Sequence, residues 1–197
     1  RQGLRLELVA ASSMNWELHS MDISSAFLQG NAIERTVFIR PPSEICEEGK
    51  IWRMKRCLYG LCDAPREWYE RVCTEMKKLG GKISLYDRSV FMWHGNNGLE
   101  GLITTHVDDF EYCGTSAWHK EVIDKICEIF KISKRLKGSF KYIGLNIEQN
   151  ADEIFVDQQA YVDGLQEVPI DSKRRKQLDD KLSEEEHKQL RSVCGQL

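Results

Sequence analysis

No stretch of the 197-residue sequence approaches the ~20 consecutive apolar positions that a membrane-spanning helix needs, and no signal peptide is visible. Excess charge of either sign is also missing: 28 Lys and Arg face 31 Asp and Glu, a net charge of −3. A nucleic-acid-binding domain usually declares itself by a pI above ~9, so bulk charge offers no argument for that class. Seven cysteines and five histidines include no CxxC and no HxxxH pair, and Cys57 and Cys62 have no second Cys/His pair nearby. That argues against a zinc site. An odd cysteine count without a targeting signal reads as reduced thiols, several of them in the core. Internal repeats and low-complexity segments are absent. A composition of 41% hydrophobic and 30% charged residues excludes collagen-like, coiled-coil and disordered chains. What remains is a soluble domain long enough to bury a core. The chain opens on Arg1 and stops inside a stretch of amphipathic helical spacing, so it reads as a segment of something longer.

Periodicity supplies the elements. Helices are expected over residues 4–15, 64–79, 118–130 and 158–165, the last ended by Pro169. Strands are expected over 17–23, 36–40 (halted by Pro41-Pro42) and 51–55. Further strands pair as hairpins: 89–94 with 99–106, then 110–113 after a loop of only Asp108-Asp109, then 140–148 with 153–157. Residues 171–191 are a dense charge mixture, with Ser183-Glu184-Glu185-Glu186 as a helix start. Hairpins broken by separate helices indicate an α+β fold.

The most anomalous local feature is Val107-Asp108-Asp109-Phe110, two carboxylates at the tip of an apolar hairpin. Turn chemistry alone accounts for such a pair. Held close, however, like charges repel unless something positive lies between them, and a hard divalent cation with oxygen ligands is the usual answer. Asp22 stands at a strand end between Met21 and Ile23, where it is either a cap for the next helix or a third such ligand. One carboxylate from a strand and two from a neighbouring hairpin suit a pair of Mg²⁺ ions ~3.5–4 Å apart, as in phosphoryl transfer.

At this point a family resemblance emerges. Met21 to Gly30 (MDISSAFLQG) resembles the first catalytic motif of copia-type retrotransposon reverse transcriptases, and Val37 to Pro42 the segment next to it in that family. Leu58 to Tyr69 is similar to the family's LYGLKQAPRxWY signature, His106 to Asp109 to its YVDD box, and Phe140 to Leu145 to its FLG segment. Even Arg191 to Leu197 resembles the stretch leading toward an RNase H region. The blocks keep family order along essentially the whole chain.

The resemblance implies an RNA-directed DNA polymerase that joins a dNTP to a primer 3′-OH on an RNA or DNA template. It implies Asp22, Asp108 and Asp109 as catalytic ligands of Mg²⁺ (or Mn²⁺) and Phe27 as a steric gate against a ribonucleotide 2′-OH. Ala26 would lie beside the nucleotide, Tyr59 and Gly60 in the floor beneath it, and Tyr142-Ile143-Gly144 in a primer-grip hairpin. The expected architecture is a reverse-transcriptase palm of three to four antiparallel strands, with the 64–79 and 118–130 helices on one face. Partial fingers and palm would occupy 1–150, and 151–197 a truncated connection toward thumb and RNase H. Implied partners are the remaining Pol polyprotein domains, integrase and RNase H, with no membrane, in a cytoplasmic particle and the nucleus.

Three positions depart from the pattern: His106 replaces Tyr, and Cys62 and Asp63 replace Lys and Gln, the latter adding a negative charge near the template. The fingers cations expected upstream do not precede Arg1. These departures keep open a decayed or domesticated remnant that binds nucleic acid without polymerising. A third reading, an unrelated metal-dependent phosphotransferase, fits the aspartates but not the other ordered motifs. The basic stretch Lys131–Lys141 reads either as a phosphate-facing surface or as a solvated face.

Overall fold

Alternating apolar residues from 90 to 113 build the centre of the protein. In the computed structural model, which describes residues 2–45, 49–165, 170, 172–177 and 180–196, they form the inner strands of a six-stranded antiparallel sheet. Along the chain, α1 (Gln2–Met14) precedes β1 (His19–Ile23), the short helix α2 (Ala26–Gln29) and the strands β2 (Phe38–Ile39) and β3 (Trp52–Arg53). Then come α3 (Ala64–Lys78), β4 (Lys82–Ile83), β5 (Val90–Gly95), β6 (Gly98–His106) and β7 (Asp109–Gly114). A continuous helical stretch comes next: α4 (Ser116–Trp118), a π-helical turn (His119–Ile123) and α5 (Asp124–Ile129). After it lie β8 (Ile132–Lys137), β9 (Ser139–Tyr142), β10 (Leu145–Gln149) and β11 (Ile154–Asp157). The large sheet has the order β4-β5-β6-β7-β1-β8, β9 to β11 form a second sheet, and β2 and β3 pair alone.

Side chains alternate across the strands, so the large sheet has two apolar faces. Ile103, Phe110 and Tyr112 join Trp68, Val72 and Met76 of α3 and Trp118, Val122 and Ile126 of the 116–129 stretch in one core. The two expected helices therefore do share a face. Leu102 and Cys113 point the other way, into a second core with Leu4 and Ala11 of α1 and Phe140, Tyr142 and Ile147 of the second sheet. Trp118 lies against two glycines paired across β6 and β7: a Cβ on Gly101 would come within 2.3 Å of its ring, and one on Gly114 within 2.4 Å. Helix α3 starts with a proline in its first turn. It ends in a Schellman motif, in which Gly81 N–H bonds the Met76 carbonyl and Gly80 N–H that of Lys77, with Gly80 at φ 85°.

The structure corrects the expected strands in three ways. The main sheet has six strands rather than three or four, because β4 and β8 extend its edges. Strand β8 falls in the Lys131–Lys141 stretch, whose cations mask a period of two; lysines along an edge strand also block pairing with a further strand. The expected single strand over 140–148 is a hairpin, β9–β10, turning at Ile143-Gly144. The tight loop before β7 is Val107-Asp108, with Asp109 already paired to His106.

Two compact units divide the chain, Arg1–Val156 and Asp157–Leu197. The second holds α6 (Gln159–Asp163), a 3₁₀ turn (Arg174–Lys176) and α7 (Glu184–Gln196). Ser183 begins α7 with a capping box: Glu186 N–H donates to Ser183 Oγ at 3.2 Å, and Ser183 N–H to Glu186 Oε2 at 2.7 Å. Pro169 and Cys46 lie outside the described residues. The other six cysteines are free thiols.

Candidate active site

Strand β1 runs between β7 and β8, and its register sets Asp22 opposite Asp109 on one side and Lys134 on the other. Directly paired residues project to the same face, so the two carboxylates lie side by side. Asp108 occupies the second position of the two-residue turn, and its carbonyl accepts from Ile23 N–H at 2.8 Å. Val107 has φ 55° and Asp108 is not in the left-handed region, the signature of a type II′ turn. A β-branched residue there is an outlier that its surroundings must enforce. Trp68 Nε1–H does so, donating to the Val107 carbonyl at 2.6 Å.

Asp22 and Asp109 both respond to the charge of Asp108. Burial, then the charge of Asp108, push the Asp22 carboxyl above its ordinary range, with Lys134 opposing. Burial, then Asp108 and Asp22, do the same to Asp109, with His106 opposing. Ser133 Oγ donates to the Asp22 carboxylate, and also reaches its carbonyl at 3.1 Å. Tyr59 OH donates to Asp108 Oδ2 at 3.0 Å. An all-oxygen, mutually repelling set suits a hard divalent cation. Among the described residues, however, no three His, Cys, Asp or Glu side chains are grouped so as to hold a metal ion as they stand.

Other positions singled out from the sequence surround this cluster. Phe27 is buried in α2, and its ring meets that of Tyr59 at 4.4 Å between centroids. Ala26, beside it, is fully buried. Gly60 has φ 92°, as the third residue of the Leu58–Leu61 turn requires, and that turn presents Tyr59. The Tyr142-Ile143-Gly144 hairpin stands apart. Tyr142 OH donates to the Thr104 carbonyl at 3.1 Å, and a cleft of about 550 Å³ runs between this hairpin and the carboxylates, lined by Asp22, Asp109, Lys134, Ser139, Lys141 and Asn146. A second cleft, of about 580 Å³, lies on the other side of the turn and includes Phe27, Tyr69, Arg88, His106 and Val107.

Asp63 does not stand as a bare charge. Arg35 grips it with two bonds of 2.7 and 2.9 Å, and holds its carboxyl down to about 2. Helical spacing over 64–79 places Trp68 with Val72 and Met76 on one apolar stripe, which reads as core packing; the signal that could have found its second role is that a buried indole N–H needs an acceptor. Gln29 carries no such signal. Its amide donates to the Ser24 and Lys131 carbonyls and accepts from Lys131 N–H, stitching α2 to the start of β8.

With this geometry in place, comparison with known proteins is informative. A family profile described as "Reverse transcriptase (RNA-dependent DNA polymerase)" matches residues 2–170. The retrovirus-related Pol polyprotein from transposon RE2 of Arabidopsis thaliana is 24% identical over 161 residues, 80% of this chain and 11% of that protein. Its counterpart from transposon TNT 1-94 of Nicotiana tabacum is 25% identical over 168 residues, 81% of this chain and 12% of that protein. The transposon Ty1-BL Gag-Pol polyprotein of Saccharomyces cerevisiae is 35% identical over 78 residues, 40% of this chain and 4% of that protein. This sequence thus spans about a tenth of the plant polyproteins it matches. The chain belongs to the reverse transcriptase (RNA-dependent DNA polymerase) family, in the copia-type transposon group that its ordered motifs resemble.

Proposed function

We propose that this chain is the palm-bearing part of a transposon Pol polyprotein and transfers a nucleotidyl group from a dNTP to a primer 3′-OH on an RNA or DNA template. The observation that carries the proposal is the register of β1, which sets Asp22 opposite Asp109 with Asp108 at the adjoining turn. Asp22, Asp108 and Asp109 would hold Mg²⁺ or Mn²⁺, whose chemistry is to acidify the 3′-OH and offset charge on the triphosphate. The protein's share is positioning. The Trp68 bond and the Ile23 bond fix the turn, so both aspartates of the pair are held before substrate arrives. Phe27, buried and braced by Tyr59, presents a rigid wall where a sugar 2′-substituent would lie. Lys134, Ser139 and Lys141 line the cleft from the hairpin at 143–144 to the carboxylates and suit a primer's phosphates.

Neighbouring integrase and RNase H domains, and work in a cytoplasmic particle and the nucleus, belong to the same proposal. A remnant that binds without polymerising is the second reading, favoured by His106 at the edge of the site. Asp63 no longer supports that reading, since Arg35 neutralises it. Primer extension with Mg²⁺ or Mn²⁺ on a primed RNA template decides between the two. Incorporation should fall about a hundred- to a thousandfold or more in Asp108→Asn/Asp109→Asn. Incorporation unchanged by that variant would remove the aspartates from the chemistry, and binding without any incorporation would favour the remnant.

A further inference from the structure

Asp22 and Asp109 both feel the charge of Asp108, yet the three carboxylates are not grouped to hold a metal ion. Two of the three are engaged elsewhere: Asp22 accepts from Ser133, and Asp108 from Tyr59. The two donors differ in kind. Ser133 belongs to β8, at the register shift between the pairs Asp22–Lys134 and Ile23–Ile132. Tyr59 sits on a four-residue turn, 63% of its surface is exposed, and the Phe27 ring braces it. Its phenol is pushed up by desolvation, then by the bond to Asp108 and by the charges of Asp108, Asp22 and Asp109.

We infer that Tyr59 is a latch on divalent-cation entry: its hydroxyl occupies Asp108 Oδ2 in the metal-free protein and has to swing away before that carboxylate can turn to a cation. The inference rests on the metal-site part of the proposed function and adds a positioning role for Tyr59 that a place in the floor beneath the nucleotide does not require. No proton or electron is transferred; one donor–acceptor bond is exchanged for a carboxylate–cation contact. Hydroxyl and cation compete for the same oxygen, so the latch lowers the apparent cation affinity by a fixed factor, and solvent exposure keeps the bond weak enough to yield.

The test is direct Mn²⁺ binding, by titration calorimetry and by loss of the free-Mn²⁺ EPR signal, with no nucleotide or primer present. Tyr59→Phe keeps the ring on Phe27 and removes only the hydroxyl. It should bind Mn²⁺ about three- to tenfold more tightly than the unsubstituted chain, the range for freeing a carboxylate from one exposed hydrogen bond. Tyr59→Ala should tighten binding by a similar factor, and Asp108→Asn should abolish the gain in either background. Equal or weaker binding by Tyr59→Phe overturns the latch and leaves the metal site standing. Tightening by Tyr59→Ala but not Tyr59→Phe also overturns it, since the ring rather than the hydroxyl would then be the barrier. No Mn²⁺ binding by any of the three chains overturns the latch and the metal-site reading together. Unchanged thermal midpoints without metal confirm that the exposed substitutions leave the fold intact.

Discussion

The turns at Val107-Asp108 and Ile143-Gly144 use one backbone device for different ends. Each joins two strands with two residues, and each places a β-branched residue at positive φ, 55° for Val107 and 48° for Ile143. At Ile143-Gly144 both residues are left-handed, a type I′ turn. It is held by what it buries: Ile143 packs on the second core and Tyr142 lies fully inside it. Val107 is 39% exposed, and hydrogen bonds hold the turn: Trp68 on its carbonyl, Ile23 and Tyr59 on Asp108. The same strain is thus enforced by apolar burial in one hairpin and by directed polar contacts in the other. Only the second sets carboxylates beside an open cleft.

Between the two hairpins lies a buried seam. Glu7 of α1 and Glu111 of β7 are fully buried, close to Thr104 and Tyr142, and among the described residues neither carboxyl has a hydrogen-bond partner. Burial holds protons on both: Glu7 well above its ordinary range, with Glu111 repulsion adding to it, and Glu111 up to about 8. The folded chain therefore binds more protons than the unfolded one from an ordinary 4.5 up to about 8, and stability falls as pH rises through that window. Glu7→Gln, near-isosteric with the protonated acid, should sharpen the comparison most. It should raise stability on the order of 2 kcal/mol at pH 8 and change it little at pH 4.5, as denaturant titrations at the two values would read. Equal gains at both would mean the seam carries no proton.

The next largest effect separates the hairpins directly. Ile143→Gly gains the same relief at positive φ as any glycine there but removes packing against the core, and should still cost about 2 kcal/mol. Trp68→Phe keeps an aromatic ring but orphans the Val107 carbonyl; about 1–2 kcal/mol of stability should go, with a larger relative loss of incorporation. Smallest of all is Val107→Gly, where relief at positive φ offsets the added chain entropy, so that stability changes by under ~1 kcal/mol. A cost at Val107 equal to that at Ile143 would break the distinction between the two turns.

Much of this is legible in the sequence, unevenly. The ordered motifs carry Asp22, Asp108 and Asp109, and helical spacing carries Trp68, Val72 and Met76 as an inward stripe. The pairing of Asp22 with Asp109 is not legible, because strand register is set between segments far apart in the chain and leaves no local trace. Ile143 hides its turn, since an isoleucine reads as strand rather than as a left-handed residue. Lys134, Arg135 and Lys137 hide β8 in the same way, because an edge strand is recognised by alternation and cations interrupt it. The Arg35–Asp63 pair reverses a sequence-level objection: a departure that looks like an added charge is a neutralised one.

The position of β1 has a consequence for synthesis. Its neighbours are β7 and β8, and Ser133, which bonds Asp22, lies 111 residues downstream. At about 5–20 residues per second, the strand carrying Asp22 emerges from a ribosome roughly 6–20 s before its second neighbour exists. For most of that time neither side of the strand is paired, because β7 begins only at Asp109. A chain that stops before β7 has no partner to set opposite Asp22, so it loses the carboxylate pairing whole rather than by degrees.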